Sequence, residues 1–143
     1  MRIDGTWVLD ENGVLNPFIH ANILGAAGTW VACTFLVDTG ADTTVIAADT
    51  LLQLGLPTQP SCRRLQGIGG VVSSVAVDTQ IRFTQSDGSP AIVRSLFDAL
   101  TTADDSDISL LGRDVLGAFA VIVDRPGRAI HLITKPHKYT LGM

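Results

Sequence analysis

The sequence predicts a mainly β domain with one or two short helices. Three observations lead there. Fourteen glycines and six prolines are spread along the chain and cut it into short segments. Those segments are for the most part apolar runs of strand length. Nearly half the residues are apolar and only 17% are charged, which supplies a core and is incompatible with a disordered chain.

The elements follow in order. Thr6 to Leu9 and Val14 to Phe18 flank Asn12-Gly13, a strong hairpin signal. Phe18 to Leu24 reads as a strand and Gly25 to Gly28 as a turn. Trp30 to Val37 is a mostly apolar run ending at Asp38, the pattern of a strand buried on both faces. Ala47 to Leu54 is the best helix candidate. Ala48, Leu51 and Leu52 form its apolar face, Gly55 is placed as its C-terminal cap, and Pro57 stops any continuation. Arg63 to Gln66 and Val71 to Phe83 read as strands around Gly67-Ile68-Gly69-Gly70. Gln85 to Ser89 is a polar turn, Ala91 to Leu96 a strand, and Thr101 to Asp107 an acidic loop. A short helix begins near Leu111 and takes in Val115 to Ala118. Phe119 to Asp124 and Arg128 to Ile133 are strands joined by Pro126-Gly127, the residues a type II turn wants.

Bulk properties narrow the function. The 143 residues suit one domain spanning 1–143. A net charge of −4 leaves no basic footprint for nucleic acid. No run of about eighteen apolar residues is present, so no membrane span is expected. Met1-Arg2-Ile3-Asp4-Gly5 has no basic region leading into an apolar stretch, and is not read as a secretory signal. Cys33 and Cys62 make no disulfide framework, and Cys33 sits in an apolar run as a small core residue. A reducing, cytoplasmic setting is the expectation. His20, His131 and His137 lack short ligand spacing, so neither a metal nor another cofactor is expected. Trp7, Trp30 and Tyr139 read as packing residues.

Three segments carry chemistry. In Phe35-Leu36-Val37-Asp38-Thr39-Gly40-Ala41-Asp42-Thr43-Thr44, an ionisable Asp directly follows three apolar residues. A buried carboxylate is costly unless it is hydrogen-bonded, paired or protonated. Gly40 lets the backbone approach that carboxylate and donate its N–H, and Thr39 offers a hydroxyl. In Leu65-Gln66-Gly67-Ile68-Gly69-Gly70-Val71, three glycines around one Ile suggest a mobile hairpin with an apolar tip. It is not a phosphate loop, because no Lys or Ser/Thr follows at the required spacing. In Ile108-Ser109-Leu110-Leu111-Gly112-Arg113-Asp114-Val115-Leu116, an Arg stands inside an apolar stretch and needs a carboxylate or backbone acceptors. Taken singly, the three read as a strand with a polar turn, a loose hairpin and an ordinary helix start.

In this order, the three segments resemble the retroviral-type (retropepsin-like) aspartic peptidases, and most closely their bacterial members. The resemblance covers roughly Trp30 to Ile133. It implies a closed, barrel-like β domain holding half an active site. By resemblance, Asp38, Thr39 and Gly40 form the catalytic turn. Ala41, Asp42, Gly67, Ile68, Gly69 and Gly70 meet the substrate, and Asp42 and Arg113 form a buried structural ion pair. The hairpin acts as a flap that closes on the substrate.

Such chemistry uses two carboxylates sharing one proton, as aspartic peptidases are known to do. The chain has thirteen aspartates but only one Asp-Thr-Gly. A two-fold homodimer brings two copies of Asp38 together, and the terminal strands, Ile3 to Leu9 and Arg128 to Ile133, can add an intersubunit sheet. The expected activity is an aspartic endopeptidase cutting peptide or protein substrates beside apolar residues. The other reading is a catalytically silent peptide-binding or dimerisation module of the same fold. Ala41 stands where many aspartic peptidases carry a hydroxyl, which predicts activity centred at weakly acidic pH, roughly 5–6.

Overall fold

Period-two alternation organises the strands, and it sorts their side chains into a buried set and a facing set. The computed structural model describes residues 1–61, 65–67, 70–72, 74–102 and 108–136, with backbone alone at 65–67 and 70–72. In chain order the elements are β1 (Arg2–Asp4), β2 (Thr6–Leu9), β3 (Leu15–Leu24), β4 (Trp30–Val37), β5 (Val45–Ile46) and α1 (Ala48–Leu54). Then come β6 (Gln59–Pro60), β7 (Leu65–Gly67), β8 (Gly70–Val72), β9 (Ser74–Thr84) and β10 (Pro90–Leu100). The chain continues through β11 (Ser109–Leu111), α2 (Arg113–Leu116), β12 (Ala120–Asp124) and β13 (Ala129–Ile133).

The large sheet runs β2-β3-β4-β11-β5-β10-β9-β6, and a further pairing of β3 with β9 returns it upon itself. The circuit β3-β4-β11-β5-β10-β9 therefore has no free edge within it. Inside it lie Ile19, Ile23, Phe35, Ile81, Phe83 and Phe97, all with no exposed surface. Phe119 closes one end edge-on to Phe83, with ring centroids 6.2 Å apart. The fold is mainly β with two short helices, as the sequence predicts. None of the helices is long and apolar enough to cross a membrane, among the described residues.

Several local expectations need correction. β4 is not buried on both faces: Cys33, Phe35 and Val37 are buried while Ala32 and Thr34 are exposed. The residues before and after Phe18 form one continuous strand rather than two. In α1 the buried residue is Leu54 with Leu51 beside it, and Leu52 is 84% exposed because it points a third of a turn away. Gly55 does cap α1 in the left-handed conformation, at φ 62°. The turn between β12 and β13 is not type II. Gly127 does not take positive φ, and the left-handed residue is Arg128, at φ 55°.

The terminal strands pair with each other within the chain. β1 lies antiparallel to β13, and β13 to β12, in a separate three-stranded sheet. Asp4 and His131 are opposite one another in this register, and the Asp4 Oδ1 accepts from Arg2 Nε (2.8 Å) and meets His131 Nδ1 (2.7 Å).

Burial alone pushes the Asp4 carboxyl up, but the hydrogen bonds from His131 and Arg2 together outweigh it and hold the group below its ordinary value. A carboxyl depressed in the folded state stabilises the fold above its unfolded pKa of about 3.9 and loses that contribution as pH falls through the folded value. The melting-temperature gap between wild type and Asp4→Asn is therefore expected to be full at pH 6 and to close in acid below the unfolded value. A gap independent of pH in calorimetry would contradict the assignment.

Candidate active site

Asp38 is placed by backbone before its side chain does anything. It leaves the end of β4, and its N–H donates to the Leu111 carbonyl (3.0 Å), tying it to β11. The chain then turns, and the Ala41 N–H returns to the Asp38 carbonyl (3.2 Å). Within this turn the Gly40 N–H donates to Asp38 Oδ1 (3.0 Å). A Cβ on Gly40 would stand 3.3 Å from that oxygen, so the absence of a side chain keeps the approach open. Asp38 is half-buried, while Thr39 and Gly40 are exposed. The result is a carboxylate presented at a strand end with one oxygen held by backbone.

The turn is clamped from the other side by the start of α2. The Arg113 N–H donates to the Ala41 carbonyl (2.9 Å) and the Asp114 N–H to the Asp42 carbonyl (3.3 Å). The Arg113 guanidinium donates to the Thr39 carbonyl (2.9 Å) and pairs with the Asp42 carboxylate. That pair is not buried in the chain, contrary to the sequence expectation. The side chains are 54% and 84% exposed, because both project from turns rather than from the packed sheet. The cost of an uncompensated buried charge therefore does not apply to the single chain.

A part-buried polar knot lies further along both segments, at Thr44 and Asp114, and sequence reasoning missed it. Thr44 has no exposed surface. Its N–H and hydroxyl both donate to Asp114 Oδ1 (2.9 and 2.7 Å), and its Oγ1 accepts the Gly112 N–H (3.1 Å). Asp114 Oδ1 also accepts the Val115 N–H (2.8 Å), at the first turn of α2. A Cβ on Gly112 would collide with the Thr43 backbone, so only glycine lets the segments approach this closely. Two signals pointed here: an acidic residue in the first turn of a helix, and a Thr pair needing partners inside an apolar stretch.

Nearby, Ser109 Oγ accepts the Ala47 N–H (3.0 Å) and lies 3.5 Å from Cys33 Sγ. Burial pushes the Cys33 thiol up, against the smaller effect of its hydrogen bonds with Ser109 and Thr50, which suits an inert core residue.

Register defines the face on which Asp38 opens. Leu36 pairs with Leu110, Leu110 with Val45, Val45 with Asp98 and Asp98 with Ala76. Paired residues share a face, and alternation from Leu36 brings Asp38 to it. Val37, Leu111 and Ile46 lie on the opposite, core face.

The glycine-rich segment forms a hairpin in which β7 pairs with β8 and Gly67 stands opposite Gly70. Ile68 and Gly69 lie outside the described residues, as do Cys62, Arg63, His137, Tyr139 and residues 103–107 of the acidic loop. Among the described residues, no group of three acidic, His or Cys side chains could hold a metal ion. A shallow groove beside α1, lined by Leu51, Leu52, Leu56, Val75 and Leu100, includes none of residues 38–42.

A family model described as aspartyl protease matches residues 19–115, more than half of the chain. Among solved structures the fold is similar to a retropepsin-like aspartic protease from Rickettsia conorii, with 18% identity and a TM-score of 0.54 over 92% of this chain and 89% of that one. It is also similar to EIAV protease complexed with the inhibitor HBY-793, with 21% identity and a TM-score of 0.52 over 71% and 86% of the two chains. No curated protein matches by sequence.

The two clamps should separate in a denaturation experiment. Asp114→Ala strands the buried Thr44 donors and is expected to cost about 1–3 kcal/mol. Arg113→Ala removes an exposed pair and is expected to cost about 1 kcal/mol or less. The reverse order, measured by urea unfolding, would show that the exposed guanidinium and not the part-buried knot holds the turn.

Proposed function

The chain belongs to the aspartyl protease family, and from that premise we propose that it is an endopeptidase whose active site is shared by two copies, each giving Asp38. The observation that carries this reading is the Asp38 turn itself. It is a half-buried carboxylate at a strand end, held on one oxygen by the Gly40 N–H, and it occurs once per chain.

One such group cannot run the reaction. When two carboxylates stand in contact, like-charge repulsion keeps one proton on the pair. The ionised Asp38 then takes a proton from water, and the protonated Asp38 of the second copy donates to the scissile carbonyl. Water adds to the carbonyl carbon to give a tetrahedral diol. Collapse breaks the C–N bond, and a proton passes from the carboxyl pair to the leaving amine. A two-fold axis beside the turn supplies both roles from one sequence. The Thr39 hydroxyl, exposed beside Asp38, suits a hydrogen bond to its copy across the axis.

The rest of the site supports a peptide. Leu36 and Leu110 are half-buried on the face where Asp38 opens, which favours apolar side chains beside the scissile bond. Residues 38–42 offer backbone groups along the turn. The Gly67–Gly70 hairpin, with Ile68 and Gly69 at its tip, acts as a flap, its glycines giving the backbone freedom a moving lid needs. Asp42 and Arg113 keep the turn in shape. The chain works as one domain, without a cofactor, in a reducing cytoplasmic setting.

Three measurements test this. Asp38→Asn is expected to abolish peptide cleavage while leaving dimer and melting temperature intact, and undiminished turnover by that variant would refute the assignment. Titrating wild type with Asp38→Asn should lower activity as the square of the wild-type fraction, because mixed dimers are inactive; a linear loss would mean that each chain works alone. Ala41 cannot donate a hydrogen bond to the carboxylate pair, whereas a serine there would favour its charged form. Ala41→Ser is therefore expected to shift the acidic limb of the rate profile to lower pH, and an unmoved limb would disprove the role given to Ala41.

A further inference from the structure

Asp98 is the one buried carboxylate in the described sheet that its neighbours do not satisfy. It is 7% exposed, in the interior of β10. Its Oδ1 accepts the Ser61 hydroxyl (3.0 Å). Its Oδ2 is fully buried and has no hydrogen-bond partner among the described residues. The Arg on the same strand, Arg94, is exposed and turned to Asp78 at 3.9 Å. A buried acceptor left unpaired is costly, more so when charged. Orphans of this kind are rare in native proteins and call for an explanation, a partner brought by a ligand being one.

Register says where that ligand lies. Asp98 pairs with Val45, Val45 with Leu110 and Leu110 with Leu36. This row is on the face to which Asp38 belongs, and the core lies on the other. From β4 to β10 there are three strand steps of about 4.8 Å, or roughly 14 Å. An extended peptide advances about 3.3 Å per residue. The carboxylate is therefore within reach of a substrate side chain about two to four residues from the bond held at Asp38. The row changes character along its length, from Leu36 and Leu110 near Asp38 to an acid beyond Val45. A substrate lying along it meets an apolar wall first and a hydrogen-bond acceptor second.

We propose that Asp98 is a specificity-determining residue that binds a lysine or arginine side chain of the substrate, flanking an apolar cleavage position. The proposal rests on the endopeptidase reading above and deepens it by naming the substrate class. A basic side chain that displaces the packing over Oδ2 brings donors to it and a charge to the carboxylate. An apolar side chain at that position leaves Oδ2 orphaned, which is the physical basis of the selection.

The test uses the full chain and a set of fluorescein-labelled decapeptides with an apolar centre. A single Lys, Arg or norleucine is moved through the four positions on either side. Binding is measured on the Asp38→Asn protein, so the result does not depend on turnover, and cleavage is measured on wild type in parallel. At one position Lys or Arg is expected to bind about tenfold or more tightly than norleucine. Adding Asp98→Asn should bring that ratio to about one. Its melting temperature should hold to within a few degrees, because the Ser61 hydroxyl keeps an acceptor. Two results would overturn the proposal. One is the absence of a basic preference at every position, or its persistence in Asp98→Asn. The other is a drop of several degrees in melting temperature with the ratio unchanged, which would make Asp98 a structural residue only. Discrimination in binding without any cleavage by wild type would uphold the Asp98 subsite and sink the endopeptidase reading instead.

Discussion

The structure depends on the close docking of two chain segments some seventy residues apart: the turn after β4 and the start of α2. Asp38 has its backbone fixed by β11, and the turn that follows has its carbonyls capped by the N–H groups of Arg113 and Asp114. Gly112 permits the approach and Thr44 and Asp114 make the contact polar and specific. A polar contact of this kind tolerates few alternatives, because any slip leaves buried donors unpaired. The closed strand circuit then packs around it, with β5 and β11 held between β4 and β10.

The correction of the Asp42 and Arg113 pair follows from the same geometry. Both residues belong to the outer side of the dock, where solvent screens them. The inner side is served by neutral donors converging on one Asp114 oxygen. Backbone hydrogen bonds to strand-end carbonyls, rather than an ion pair, give the turn its position. The exposed guanidinium adds a second hold through the Thr39 carbonyl, immediately beside Asp38.

Much of the fold was legible in the sequence because its signals are local. Asn12-Gly13 marks the β2–β3 turn, Gly55 ends α1 in the left-handed conformation, and Asp38 marks the end of β4. What failed depended on distant partners. The alternation of β4 was hidden because its exposed positions hold Ala32 and Thr34, which hydropathy barely distinguishes from core. Leu52 looked like core, but the helix shows its neighbours Leu51 and Leu54 to the sheet. Arg128, not Gly127, takes the left-handed place in the last turn, against the usual preference for glycine there. The Asp38 turn was readable as chemistry. The roles of Asp114 and Asp98 were not, since the first is fixed by Thr44, 70 positions away, and the second by Ser61, 37 positions away.

The two faces of the barrel sheet answer to different pressures. On the core face Val37, Ile46, Phe97, Ala99 and Leu111 are apolar and closely packed, and any of them could be exchanged only for something of similar volume. On the other face the same strands carry Asp38 at one end and Asp98 three strands away, with Leu36, Leu110 and Val45 between. Alternation makes this division possible, because each strand serves both faces with successive residues. An acid on the core face would destroy the barrel, whereas on the opposite face it costs only its own desolvation. A buried acid with an unpaired oxygen on the face to which Asp38 belongs is most simply explained by the ligand proposed for that face.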